Sequence, residues 1–315
     1  MALPLDLVPA ADRTARPAGF TVASDDGDRL HFLDWDGPTG AIGVVAIHGL
    51  SNTAWSWSPV ARRVRGATRF VAMDLRGHGL SDAPTDPEAY ALDVLGGDVV
   101  AVAEGSGLLE PGSPVVLAGH GFGAMVALAA ALRLDDRCAG VVLVDGGWES
   151  MEAALDVDAD EFLRGIEEPP EVMRSLRAFL ADRVAFDPAS WDDDQDQAAR
   201  AQVVETHAGR VVPATRPHAL EASVRAMFRY DPEPLLAGVA APVLALRASS
   251  DDPRTRVAAL GHASALREAA GLPPIATFAF EGDGHNLMRY RPAEVSAAIL
   301  ALVAGRWSSS HAEES

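Results

Sequence analysis

The sequence predicts an α/β protein built on a mostly parallel sheet flanked by helices, with one helical insertion. Three observations carry that expectation. Short, continuous apolar runs ending in turn residues recur along the chain. Helical patterns lie between them. The alternation stops between about Trp148 and Pro234.

The runs are “GVVAIHG” (43–49), “RFVAMD” (69–74), “PVVLAGH” (114–120), “GVVLVDG” (140–146) and “PVLALRA” (242–248). Continuous apolar stretches of this length read as strands buried on both faces, as in a parallel sheet. “RLHFLDW” (29–35) alternates like a half-exposed strand. Helical stretches fall at 55–65, about 89–107, 122–134, 253–270 and 292–305. Strands alternating with helices imply βαβ units. The segment from Trp148 to Pro234 contains no clear strand but has helical patches such as “EVMRSLRAFLADRV”. It predicts a helical cap over 148–234, inserted into a core made of 1–147 and 235–315. Between Trp148 and Arg200 it carries 15 Asp and Glu against 5 Arg, which reads as a solvated acidic face. The tail “WSSSHAEES” reads as disordered.

Composition narrows the function. The 315 residues are 48% hydrophobic and 23% charged, in keeping with one large globular domain. The net charge of −19 opposes nucleic-acid binding, because phosphates would be repelled. All 26 basic residues are arginine. No apolar run is long enough for a transmembrane helix, and “MALPLDLVPAADR” lacks the basic and apolar regions of a signal peptide. The single cysteine, Cys138, excludes an intramolecular disulfide, fits a cytoplasmic location and reads as a core residue at a helix end. No metal-ligand or nucleotide motif stands out, so no cofactor is expected; “GHGFG” lacks the lysine and length of a phosphate loop. The expected partner is a small-molecule substrate, with the chain a monomer or homodimer.

In open parallel sheets, ligands bind outside the carboxyl ends of the strands. The residues there are His48-Gly49-Leu50, Asp74, Gly119 to Gly123, Asp145, Ser249 to Asp252 and Gly284-His285. With these segments in view, the chain resembles the α/β-hydrolase fold family, in its lid-bearing esterase, lactonase and C–C hydrolase group. “VVAIHGLSNTAWSW”, “VAMDLRGHGLSD”, “VVLAGHGFGAMVALAAA”, “PVLALRASSDDP” and “FEGDGHNLMRYRP” are similar to five family motifs in the family's order, over about residues 20 to 305. The resemblance implies an eight-stranded, mostly parallel sheet. It also implies a nucleophile elbow, a strained strand-to-helix turn with small residues two positions either side of its apex. Gly119 and Gly123 are those neighbours, so the apex is Gly121, where the family carries its nucleophile.

The remaining roles follow from the same resemblance. The backbone N–H groups of Leu50 and Phe122 would form the oxyanion hole. His285 would be the catalytic histidine, while His120 would pack away from the pocket. Family spacing from Pro242 points to Asp251 as the acid, while the following proline makes Asp252 similar to the family's Asp-Pro form, so both stay open. Some relatives take the acid from the end of the sixth strand, which would be Asp145. Asp74 is expected to brace the loop after it. Ser51, the nearest hydroxyl to the oxyanion loop, does not sit on an elbow. Trp55, Trp57 and Trp148 could line an apolar substrate pocket or pack between core and cap.

Without a serine the chain should not form an acyl-enzyme. The expected function is hydrolysis of a small apolar ester, lactone or related carbonyl compound by non-covalent general-base chemistry. Two alternatives stay open: an engineered Ser-to-Gly inactive variant of a serine hydrolase, and a non-catalytic ligand-binding pseudoenzyme.

Overall fold

The computed structural model of the chain describes residues 2–40, 42–110, 112–155, 157–166, 174–248 and 253–307. The tail from 308 onward, expected to be disordered, lies outside the described residues. The first half of the chain forms strands β1 (Ala18–Ala23), β2 (Arg29–Asp34), β3 (Gly43–Ile47), β4 (Phe70–Met73), β5 (Val115–His120) and β6 (Cys138–Val144), with helices α1 (Ser58–Val64), α2 (Leu92–Gly105) and α3 (Phe122–Leu134) between them. After β6 come α4 (Met151–Ala154), α5 (Ala159–Ile166), α6 (Leu176–Phe186), α7 (Asp193–Ala201), β7 (Val203–Glu205), β8 (Val211–Pro213), α8 (Pro217–Phe228) and α9 (Pro232–Gly238). The chain then returns to the sheet with β9 (Val243–Ala248), α10 (Pro253–Ala269), β10 (Ala276–Phe280), α11 (Leu287–Tyr290) and α12 (Pro292–Val303).

Eight strands form one sheet in the order β1-β2-β4-β3-β5-β6-β9-β10. β1 and β2 are antiparallel to each other, β2 is antiparallel to β4, and every later pair is parallel. Alternate side chains of the central strands enter two separate cores. Val45, Ile47 and Leu117 join α2, α3, α9 and α10 residues on one face; Val44, Ala46 and Val116 join α1 and α12 on the other. Both faces are covered, so the strand sequences are continuous apolar runs rather than alternating ones.

Two expectations are corrected here. The insertion between β6 and β9 does contain strands: β7 and β8 pair as a small antiparallel hairpin. Cys138 is buried as expected, but it opens β6 after a single turn of 3₁₀ helix (Asp135–Arg137) rather than closing a helix.

Several contacts tie the insertion to the sheet's carboxyl end. Arg62 pairs with Asp194 at 2.9 Å, Gln202 donates to the Asn52 side chain at 2.8 Å, and the Tyr230 hydroxyl donates to the Gly147 carbonyl at 2.7 Å. The acidic run of this segment is absorbed locally. Asp192 caps α7, Asp194 takes the Arg62 pair, and Asp196 pairs with Arg200 one turn on.

Candidate active site

The site is built where β3, β5 and β6 end side by side. β5 turns into α3 at Gly121, whose φ of 52° and ψ of −115° lie where side chains other than glycine are strained. The close packing around this turn explains its glycines. A Cβ on Gly119 would lie 2.2 Å from the Gly123 carbonyl oxygen, and one on Gly123 would lie 2.4 Å from the carbonyl oxygens of Ile47 and His48. A Cβ on Gly146 would lie 2.9 Å from Gly121 itself, so the β6 end can press against the turn only because Gly146 has no side chain.

His285 stands over the apex. A Cβ on Gly121 would sit 3.0 Å from His285 Nε2 and 4.0 Å from the Gly49 Cα. The other ring nitrogen, Nδ1, donates to Asp145 Oδ2 at 2.6 Å. Because a carboxylate can only accept, this bond fixes the proton on Nδ1 and leaves the Nε2 lone pair facing the space above Gly121. The carboxylate is almost wholly buried, whereas the His285 side chain is 56% exposed and open to water.

Among the described residues, Asp145 is the carboxylate that holds His285. Asp251 and Asp252 lie outside the described residues. β6 ends beside β5, and Asp145, at a left-handed φ of 50°, brings its carboxylate within reach of the loop bearing His285. Its second oxygen, Oδ1, accepts from the Ala248 N–H at 2.9 Å and from Arg256 at 2.8 Å. Burial works against the Asp145 charge, but the His285 hydrogen bond and the Arg256 charge outweigh it and hold the carboxyl below its ordinary range. Arg256 also binds Glu149 at 2.7 Å and lies 4.9 Å over the Trp148 ring. Burial pushes the Glu149 carboxyl up, against the pull of Arg256. Spacing alone did not single out Arg256 or Glu149. The available signal was the Gly146-Gly147 pair after Asp145, which marks a strand end in close backbone contact.

The two expected oxyanion donors sit on the turns that flank this space. Phe122 is the first residue of α3, so its N–H belongs to the first turn of a helix and has no partner within it. Leu50 follows the β3 end, where Asn52 N–H closes a turn on the Gly49 carbonyl at 3.1 Å. Ser51 is exposed at a φ of 57° on this loop.

Neighbouring histidines brace the loops. His120 donates from Nε2 to the His285 carbonyl at 3.0 Å, and the two rings lie 4.4 Å apart. Burial, and then the charge His285 can carry, push the His120 ring down to about 3, so it stays neutral. His48 Nε2 accepts from the Leu75 N–H at 3.0 Å and its Nδ1 donates to the Gly49 carbonyl at 2.8 Å. Asp74 binds His31 at 2.8 Å, the Ala54 N–H at 2.7 Å and the Leu80 N–H at 3.1 Å, tying the segment after the oxyanion turn to its own loop.

The tryptophans pack more than they line. Trp57 is fully buried in the α1 and α12 core, its ring 6.3 Å from Phe70. Trp55 stands edge-on to Trp35 at 6.2 Å. Trp148, also buried, carries Arg256 on its ring. The packing alternative describes Trp57, and Trp148 is linked to the dyad through Arg256.

Comparison with known proteins agrees with this architecture. Residues 44–298 match the family described as Alpha/beta hydrolase family. Epoxide hydrolase B of Mycobacterium tuberculosis (strain ATCC 25618 / H37Rv) is 38% identical over 122 residues, 37% of this chain and 32% of that protein. The chain thus spans about a third of that relative's length. The 2-(acetamidomethylene)succinate hydrolase of Mesorhizobium japonicum is 27% identical over 262 residues, 80% of this chain and 84% of that protein. The crystal structure of E-2-(acetamidomethylene)succinate hydrolase shares the fold with a TM-score of 0.73 at 21% identity, covering 92% of this chain and 100% of that one. A family match over most of the chain, on a sheet and elbow of this form, is decisive: the chain belongs to the alpha/beta hydrolase family.

Proposed function

We propose that the protein is a hydrolase of small carbonyl compounds, esters or lactones, that works without a covalent intermediate. The observation that carries this reading is the His285 Nε2 lone pair, 3.0 Å from the side-chain position that Gly121 leaves empty. A water in that space would give its proton to Nε2 while its oxygen attacks the substrate carbonyl carbon. The carbonyl π electrons would pass to the carbonyl oxygen, which the Leu50 and Phe122 N–H groups would bind. Collapse would break the bond to the leaving group, which takes its proton from the imidazolium. Asp145 orients the ring and balances its positive charge. The segment 148–234 is read as the cap that closes the site. A relative of similar length named for hydrolysis of 2-(acetamidomethylene)succinate supports hydrolysis over mere binding.

Loss of the serine in a related three-residue machine costs about 10⁶ in kcat, while the oxyanion hole and binding alone retain about 10³ to 10⁴ over water. The test is a panel of activated esters, lactones and β-diketones with wild type and His285→Ala. Turnover that disappears in His285→Ala, with no mass added to the protein during turnover, supports the reading. Ligand binding without turnover, at an affinity indifferent to His285→Ala, would establish a receptor instead.

A further inference from the structure

The dyad has a third and fourth member. His285 reaches Asp145 through Oδ2, and Arg256 reaches the same carboxylate through Oδ1 at 2.8 Å. Arg256 in turn donates to Glu149 at 2.7 Å and lies over the Trp148 ring at 4.9 Å. The two carboxylates and the guanidinium form a chain, Glu149–Arg256–Asp145–His285, from the residues after β6 to the loop after β10. The guanidinium and Glu149 are both largely buried, with 17% and 12% of their side chains exposed, so their charges are only weakly screened.

We propose that Arg256, held by Glu149 and Trp148, is a positioning residue for the His285–Asp145 dyad, and that the Arg256–Glu149 pair sets the basicity of His285. Arg256 occupies Oδ1 together with the Ala248 N–H, which leaves Oδ2 as the oxygen free to receive the imidazole. Its positive charge stabilises the same carboxylate that would stabilise an imidazolium, and so opposes protonation of His285. Glu149 offsets that charge. Among the described residues, the groups that act on His285 are Asp145 and Glu149 after β6, Arg256 on α10 and the neutral His120 ring at the end of β5. In the loop around His285, Asp283 is engaged with Arg291 at 2.6 Å, and Arg289 turns to Ser190 and the Asp187 carbonyl.

The inference deepens the general-base reading of His285 but is tested without turnover. The His285 ring is titrated by NMR in wild type, Arg256→Met, Arg256→Lys and Glu149→Gln, its signal assigned by its loss in His285→Gln. Removing the cation in Arg256→Met raises the midpoint by about one pH unit, and removing the anion in Glu149→Gln lowers it by a similar amount. Arg256→Lys, which keeps the charge, returns the midpoint most of the way to the wild-type value. If Arg256→Met does not fold, Glu149→Gln and Arg256→Lys decide the matter by the same signs. Midpoints that stay put, or that move the same way in Arg256→Met and Glu149→Gln, overturn the proposal. A wild type that titrates as expected but never turns over a substrate defeats the general-base reading and leaves the pair standing.

Discussion

His285 Nδ1 donates to Asp145 Oδ2 at 2.6 Å, which pairs the ring with a carboxylate at the end of β6. A carboxylate in this position fixes the ring tautomer that aims Nε2 at Gly121. Asp145→Asn can donate where an acceptor is needed, and so favours the wrong tautomer. Turnover in Asp145→Asn should fall about 10²- to 10⁴-fold. Asp251→Asn and Asp252→Asn should stay within a few-fold of wild type. Steady-state kinetics of the three variants on one substrate decides between the strand ends, and a large loss in Asp251→Asn or Asp252→Asn would contradict the assignment.

The same geometry forecasts what a restored hydroxyl does. A Cβ on Gly121 meets His285 Nε2 at 3.0 Å, closer than most Cβ contacts, so the exposed ring must retreat by a few tenths of an ångström. The added hydroxyl would then lie within hydrogen-bond reach of Nε2. Gly121→Ser should react stoichiometrically with a fluorophosphonate probe while wild type does not, as read by intact mass. Its stability should fall by about 1 to 3 kcal/mol in urea unfolding, because a side chain is forced to a φ of 52°. An unlabelled, folded Gly121→Ser would mean that Nε2 cannot activate a group at the apex.

Arg267 gives a test of the scaffold away from the site. It is fully buried on α10 and meets no carboxylate among the described residues. Its donors go instead to four backbone carbonyls: Pro273 at 2.9 Å, Leu236 at 3.0 Å, Val239 at 2.8 Å and Ala241 at 3.0 Å. Burial pushes the guanidinium down to about 10. Arg267→Met leaves the four carbonyls without this partner, at about 1 to 3 kcal/mol for each that finds no water. A total loss of about 3 kcal/mol or more is expected in urea unfolding at pH 7. A loss below 1 kcal/mol would show that the clamp contributes little.

The parts of this fold legible in the sequence were those whose physics is local. β3, β4, β5, β6 and β9 are buried on both faces, and each carries a short apolar run, with Arg247 the one charge among them. β1 and β10 escaped notice because they are the outer strands. β1 is exposed along most of its length, and β10 alternates between half-buried and exposed residues, so neither has a continuous apolar stretch. β7 and β8 are three residues each, too short for any periodicity. Gly121 could be located because the small residues around an elbow are a requirement of close backbone packing. The choice among Asp145, Asp251 and Asp252 could not be made the same way. It depends on where the loop bearing His285 crosses the sheet, a through-space relation that no spacing along the chain encodes. The Arg256–Glu149 pair is hidden for the same reason, joining residues 107 positions apart.

The buried histidines predict how the fold responds to acid. Burial, reinforced by a neighbouring imidazole, pushes His78 and His120 each down to about 3. In the unfolded chain both titrate near 6.5. Below that pH the unfolded state takes up protons that the folded state refuses, so stability falls as pH drops from about 6.5 toward 3. By pH 5 the loss is up to about 2 kcal/mol for each ring. Asp98 acts in the opposite sense. Burial lifts its carboxyl to about 6 despite its bidentate pair with Arg76 at 2.6 and 2.8 Å, so the folded state takes its proton first and gains stability below pH 6. The histidine contribution is therefore read by difference. His78→Asn can keep the Nδ1 bond to the Arg76 carbonyl, 2.9 Å in wild type, yet cannot be protonated. Urea unfolding at pH 7 and pH 5 should show a smaller acid-induced loss in His78→Asn than in wild type, by about 2 kcal/mol. Equal losses in the two proteins would mean that His78 becomes protonated in the folded state without penalty.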